Sequence, residues 1–161
     1  MRVASTPFAR PARTLVDFVR KRDDWDMTTT SAIPVLIVDD QPAFRRAACA
    51  VVDCLDGFAV AAEATSGEEA VDLAQTIAGP MLVLMDINLG GMNGIAATRL
   101  ITDADPSAVV FLLSTYAAGD LPSGAAACGA RAYIHKEELD PYLLEQLWEE
   151  ELAGAGGWRT A

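Results

Sequence analysis

From Ile33 onward, short apolar runs alternate with stretches of helical periodicity, and this alternation restricts the possible folds more than any other feature of the chain. The runs are Val35-Leu36-Ile37-Val38, Phe58 to Ala62, Met81-Leu82-Val83-Leu84-Met85, Val109-Val110-Phe111-Leu112-Leu113 and Ala132-Tyr133-Ile134. Most are apolar at every residue, as in strands covered on both faces. Strands of that kind separated by helices predict a parallel α/β sheet.

The helical stretches carry their own punctuation. Phe44, Ala47, Ala48, Val51 and Leu55 recur at helical spacing after Pro42, a residue favoured at a first helical position. Ser66 with Glu69 is a capping box, followed by a stripe of Ala70, Val71, Ala74 and Ile77 that ends before Gly79-Pro80. A third helix is expected from about Asn93 to Thr102, before Asp105-Pro106. A fourth, between Asp120 and Cys128, is weakened by Pro122 and Gly124 and is expected to be short and mobile. The last spans about Glu137 to Leu152, before Gly154, Gly156 and Gly157 dissolve the pattern. The sum is five βα units over 33–152.

Residues 1–32 differ from this body. They carry a net charge of +2 within a chain of −11, which leaves −13 for the rest. They read as a flexible extension, with an arm docked on the acidic body as the alternative. Residues 153–161 read as a C-terminal tail. The acidic balance argues against direct nucleic-acid binding, and no apolar run approaches the roughly 18 residues of a membrane span. The amino terminus lacks the apolar stretch of a secretory signal, so the cytoplasm is the expected location. Cys49, Cys54 and Cys128 have no CxxC spacing and are expected to be reduced and buried.

Several runs end in a reactive polar group. Val38 gives way to Asp39-Asp40, Met85 to Asp86, Leu113 to Ser114-Thr115 and Ile134 to His135-Lys136. In a parallel sheet these positions share the carboxyl edge, where open α/β folds bind ligands at the point of strand-order reversal. The second run ends at Ala61-Ala62-Glu63 without such a group, which suits an edge strand and an order of 2-1-3-4-5. Like charges about 4 Å apart repel by roughly 4 kcal/mol at an effective dielectric of 20, so three clustered carboxylates need a cation or a proton. Asp39, Asp40 and Asp86 therefore read as ligands of Mg²⁺, with Mn²⁺ as the alternative ion. Lys136 can pair with phosphoryl charge and the Ser114 hydroxyl can donate to a phosphoryl oxygen, so the set describes an aspartyl phosphate site.

Across about Ile33 to Leu152 these residues resemble the response regulator receiver domains of two-component phosphorelay signal transduction. Val38-Asp39-Asp40 is similar to the family's acidic pair, and Leu84-Met85-Asp86-Ile87-Asn88-Leu89 with Gly91-Met92-Asn93-Gly94 to its phosphoacceptor segment. Ser114 stands at its hydroxyl position, and Gly129 to Lys136 resembles the segment holding its switch aromatic and lysine. The resemblance implies a flavodoxin-like (βα)5 doubly wound sheet and a phosphoprotein, not an enzyme, that accepts a phosphoryl group on Asp86 from a histidine kinase. It further implies that the Asn88 backbone carbonyl completes the metal site. Ser114 and Tyr133 would turn inward together, remodelling the face of helix four, strand five and helix five. Output is expected through contact with a downstream protein, as a stand-alone switch.

Two positions depart from the family. Gly90 and Glu137 stand where Pro is usual. A non-proline cis peptide costs about 3 to 4 kcal/mol, which predicts a different seat for Lys136 and slower phosphorylation. In the last helix Leu139, Leu143 and Leu147 form one row and Leu144, Trp148 and Leu152 a second. One row suffices for a core, so the second is expected to meet a partner, a second copy or the amino-terminal segment, against the alternative of a broad buried stripe. Tyr133 has the alternative role of a plain core aromatic, and His135, the single histidine, receives no role. Rival functions are a receiver-like binding module that works without phosphorylation and an aspartate-nucleophile phosphatase. The phosphatase is disfavoured because such enzymes prefer a second Asp where this chain has Asn88. Flavin binding is disfavoured because Asp39-Asp40-Gln41-Pro42 is too acidic to cradle a phosphate.

Overall fold

The structure, a computed structural model, describes residues 32–154 and 157–161. The expectations for the amino-terminal extension fall almost wholly outside these residues. Strands β1 (Ile33–Val38), β2 (Phe58–Ala64), β3 (Leu82–Asp86), β4 (Val109–Ser114), β5 (Ala132–His135) and β6 (Arg159–Thr160) form one sheet in the order β2-β1-β3-β4-β5-β6. Every pairing is parallel. Helices α1 (Pro42–Asp53), α2 (Gly67–Ala74), α3 (Gly94–Ala104) and α4 (Pro141–Leu152) cover its faces.

The sheet is buried on both sides because consecutive strand residues feed two different cores. Leu36, Val38, Val83, Met85, Val110 and Leu112 pack with Ala70 and Ala74 of α2 and Ile95, Ala97 and Ile101 of α3. Val35, Ile37, Leu82, Leu84, Phe111 and Leu113 pack with Ala48 and Val52 of α1 and Leu144, Leu147 and Trp148 of α4. β3 and β4 are buried at every position, as continuous apolar runs require, while β2 alternates as an edge strand should. Among the described residues no helix is long and apolar enough to cross a membrane.

The helix starts follow local chemistry. The Ser66 hydroxyl accepts from the Glu69 N–H at 3.2 Å, and the Glu69 carboxylate reaches back to the Thr65 N–H at 2.7 Å. Asn93 caps α3 through the Ala96 N–H at 2.9 Å. The next residue, Gly94, lies so close to the end of β3 that a Cβ there would stand 2.0 Å from the Asp86 carbonyl oxygen. No side chain larger than hydrogen fits.

At the level of the fold the structure corrects five expectations. The weak fourth helix is two 3-10 turns, Ala118–Asp120 and Ala125–Ala127, in keeping with the Pro122 and Gly124 that interrupt it. The last helix starts at Pro141 and not near Glu137, since Asp140 caps it through the Leu143 N–H at 2.8 Å and Pro141 takes the first helical position. The row Leu144, Trp148 and Leu152 is not a free partner face. Leu144 is fully buried, Trp148 is 6% exposed with its ring edge-on to Phe58 at 5.4 Å, and Leu152 packs against the same core. Both rows meet this core: Leu144, Leu147 and Trp148 are buried in it, and Leu139, Leu143 and Leu152 pack against it half-buried. Of the cysteines only Cys128 is buried; Cys49 is half-buried and Cys54 exposed. Lastly, the tail adds β6 to the open edge of β5, with the Arg159 N–H donating to Arg131 O at 3.2 Å and the Ala161 N–H to Tyr133 O at 2.9 Å. Trp158 packs against the core beside it.

Candidate functional site

The carboxyl ends of β1, β3, β4 and β5 bring the acidic, hydroxyl and amine groups to one edge. Asp39 follows β1 directly and is fully buried. Its Oδ1 accepts from the Gln41 N–H at 2.8 Å and its Oδ2 from Lys136 Nζ at 2.6 Å. Asp86 ends β3 at 2% exposure, its Oδ1 accepting from the Asn88 N–H at 3.1 Å and its Oδ2 standing 3.2 Å from Lys136 Nζ. Each buried carboxylate thus gives one oxygen to a backbone amide and the other to the same ammonium. Asp40 is exposed and completes the acidic group. Carboxylate oxygens of Asp39, Asp40 and Asp86 lie within 4.8 Å of one another.

Burial pushes the Asp86 carboxyl above its ordinary value. The nearby Asp39 charge adds to this, and the Asn88 N–H and Lys136 oppose it without cancelling it. A hard divalent cation matches this all-oxygen donor set, because it neutralises clustered carboxylates while keeping some of its waters. The residues present therefore fit Mg²⁺ or Mn²⁺.

Ser114 ends β4, fully buried, and its Oγ accepts from the Tyr116 N–H at 3.2 Å and from Asn88 Nδ2 at 3.5 Å. It joins the acidic group through the Asn88 side chain. Tyr133 is 1% exposed, and its hydroxyl donates to Ser114 O at 3.3 Å and to Tyr116 O. The aromatic expected to turn inward is already inward in this structure, held against the loop that carries Ser114.

Lys136 reaches both buried carboxylates although the described residues contain no cis peptide, so Glu137 does not displace it. The expected misplacement is corrected: the 3-10 turn Lys136–Glu138 aims the side chain without a proline.

Four contributors went unread in the sequence. The Phe44 ring centroid lies 4.6 Å from Lys136 Nζ. Arg45 Nη1 donates to Asp39 O at 2.8 Å while its Nε pairs with Glu63 at 3.2 Å, tying the end of β1 to β2. Glu68 accepts from the Met92 N–H at 2.9 Å and so clamps the loop after Asp86, next to Gly90. His135 bridges two loops, with Nε2 3.0 Å from Thr115 O and Nδ1 3.3 Å from the Glu137 nitrogen.

Known proteins resemble this chain across the sheet and its helices. A family model described as response regulator receiver domain matches residues 35–147. The transcriptional regulatory protein LnrK of Bacillus subtilis (strain 168) is 34% identical over 105 residues, covering 65% of this chain and 47% of that protein. A protein-glutamate methylesterase/protein-glutamine glutaminase of Myxococcus xanthus (strain DK1622) is 38% identical over 104 residues, 63% of this chain and 29% of that protein. Among solved structures, a LuxR-family two-component response regulator from Aurantimonas sp. SI85-9A1 superposes with a TM-score of 0.68 at 32% identity, covering 81% of this chain and 90% of that one. The chain spans about half the length of most of the curated relatives it matches, from 29% to 59%.

Proposed function

The chain belongs to the response regulator receiver domain family of two-component signalling, and we propose that it is a phosphorylation switch whose Asp86 accepts a phosphoryl group from a histidine kinase. One observation carries this reading: a single ammonium, Lys136 Nζ, is shared by two buried carboxylates, Asp39 and Asp86, with a third, Asp40, beside them. So compact a set of charges on a sheet edge is poised for an incoming dianion and its counterion, and costs stability otherwise.

In the transfer, a carboxylate oxygen of Asp86 attacks phosphorus while the bond from phosphorus to the donor imidazole nitrogen breaks, the electron pair leaving with the imidazole. Asp39, Asp40, Asp86 and the Asn88 backbone carbonyl would hold Mg²⁺ or Mn²⁺, which when bound neutralises charge on the phosphoryl oxygens. Lys136 then exchanges its contact with Asp86 for a phosphoryl oxygen, keeping Asp39 as its anchor. Ser114 gives up its contact with Tyr116 N–H to donate its hydroxyl to another phosphoryl oxygen.

Tyr133 transmits that movement. Its hydroxyl rests on Ser114 O and Tyr116 O, so a shift of the 114–116 loop changes the support of a residue on β5. The consequence is a population shift between two arrangements of β5 and its flanking loops, read by a downstream protein or a second copy of the chain in the cytoplasm. The single transfer onto Asp86 is the chain's own chemistry. Turnover of phosphate esters is not expected, because Asn88 directs its amide at Ser114 and offers no carboxylic acid there.

Amide NMR spectra recorded with Mg²⁺ and a small phosphodonor test the switch. Resonances of Ser114, Thr115, Tyr116 and Tyr133 are expected to move in the wild type and stay in place in Asp86→Asn. Identical responses would contradict the reading.

A further inference from the structure

We infer that His135 is a positioning residue for Lys136, acting as a neutral imidazole in one tautomer; this rests on the function proposed above. Lysine is a flexible four-carbon stem carrying a point charge, so its placement depends on how firmly the backbone beneath it is held. Here the tip is held by Asp39 and Asp86 and the flank by the Phe44 ring. The base has no proline to hold it, since Glu137 follows Lys136 through a trans peptide.

His135 supplies that hold. It ends β5 and caps the 3-10 turn Lys136–Glu138, its Nδ1 lying 3.3 Å from the Glu137 nitrogen. That nitrogen is a backbone donor, so Nδ1 must accept. On the other side of the ring, Nε2 lies 3.0 Å from the Thr115 carbonyl oxygen, which is an acceptor, so Nε2 must donate. Both contacts hold only for the neutral ring with its proton on Nε2. A ring that donates at both nitrogens would set an N–H against the Glu137 N–H and open the turn that aims Lys136.

The second contact adds a coupling. Thr115 follows Ser114, whose register partner across the strand pair is His135 itself. Tyr133 holds the same loop at Ser114 O and Tyr116 O, so β5 grips three consecutive carbonyls of the 114–116 loop from two side chains. The seat of Lys136 is therefore tied to the loop that supplies the phosphoryl-binding hydroxyl.

Two measurements on the full chain test this. As His135 is the only histidine, long-range ¹H–¹⁵N correlation of the imidazole reads its tautomer without ambiguity; protonation at Nε2 with a bare Nδ1 is expected, and a mixture of tautomers or an Nδ1–H ring would overturn the inference. Next, phosphorylation by a small phosphodonor with Mg²⁺ is timed in wild type, His135→Leu and His135→Asn. The Leu variant, which loses the cap, is expected to react roughly five- to tenfold slower. The Asn variant, whose side-chain oxygen can accept from the same amide, should stay within about twofold of wild type. If wild type reacts and the folded Leu variant keeps pace with it, or Asn is as slow as Leu, His135 positions nothing. A wild-type chain that takes up no phosphoryl group would instead overturn the proposed function, and this inference with it.

Discussion

Lys136 Nζ lies 2.6 Å from Asp39 Oδ2, although 97 residues separate the two in the chain. Both side chains are withdrawn from solvent, and the ammonium also stands 3.2 Å from Asp86. This pair joins the first and last strands of the five βα units at the edge where the acidic group lies.

Removing the amine leaves two neighbouring carboxylates without a counter-charge. Breaking a buried pair in this way is expected to cost roughly 3 kcal/mol, towards the lower end for such changes, because one of the acids can take a proton instead. Urea unfolding of Lys136→Ala without metal measures this. Added Mg²⁺ should restore more stability to the variant than to wild type, since it replaces the lost charge.

Asp86→Asn should act in the opposite direction. Burial raises the Asp86 carboxyl, so the folded chain holds that proton more tightly than the unfolded one, and ionisation costs stability as pH rises through the raised value. At neutral pH without metal the variant is expected to be more stable than wild type, and the gain should shrink as pH falls through the carboxylate range. A gain that grows on acidification would mean that the sign is wrong. Saturating Mg²⁺, worth about 2.7 kcal/mol at a hundred times its Kd, should stabilise wild type more than Asp86→Asn.

Gly94→Ala forces a methyl group against the Asp86 carbonyl, since the added Cβ would lie only 2.0 Å from that oxygen. A loss of about 1 to 3 kcal/mol is expected from the resulting shift of α3 against β3. Thermal unfolding reads the loss, and a parallel drop in the rate of phosphorylation would show that the end of β3 has moved.

Trp148→Ala should destabilise by about 3 to 5 kcal/mol, because it empties a space between α4 and β2 that Trp148 shares with Phe58. A near-neutral effect on denaturation would return this residue to the role of a surface anchor.

Much of this is legible in the sequence. The apolar runs predict five of the six strands, and the polar residue ending each of four runs predicts that Asp39, Asp86, Ser114 and Lys136 share an edge, because parallel strands leave no other arrangement. What escaped is what depends on contacts across the fold. Phe44 has the spacing of an ordinary core aromatic, and only the path of Lys136 shows that its face meets an ammonium. His135 acquires its contacts from a turn, Lys136–Glu138, that reads locally as the first turn of a helix. The signal for the helix start is present in Asp140-Pro141, a cap followed by the residue suited to the first helical position, but Glu137 and Glu138 before it are also good helix formers and blur the boundary. β6 is two residues long beyond a run of glycines, and no periodicity can mark so short a strand. The burial of the second row of α4 stands in the sequence only as one of two alternatives, because a periodic pattern shows which residues share a stripe and not how wide a stripe the sheet will cover.

The most direct measurement is the position of the covalent label. The chain is incubated with Mg²⁺ and a small phosphodonor, trapped by reduction of the acyl phosphate, and mapped by peptide mass spectrometry. A single modified residue, Asp86, is expected, with no modification when Mg²⁺ is chelated or in Asp86→Asn. An unmodified chain, or a label on Asp39, Asp40 or His135, would contradict this.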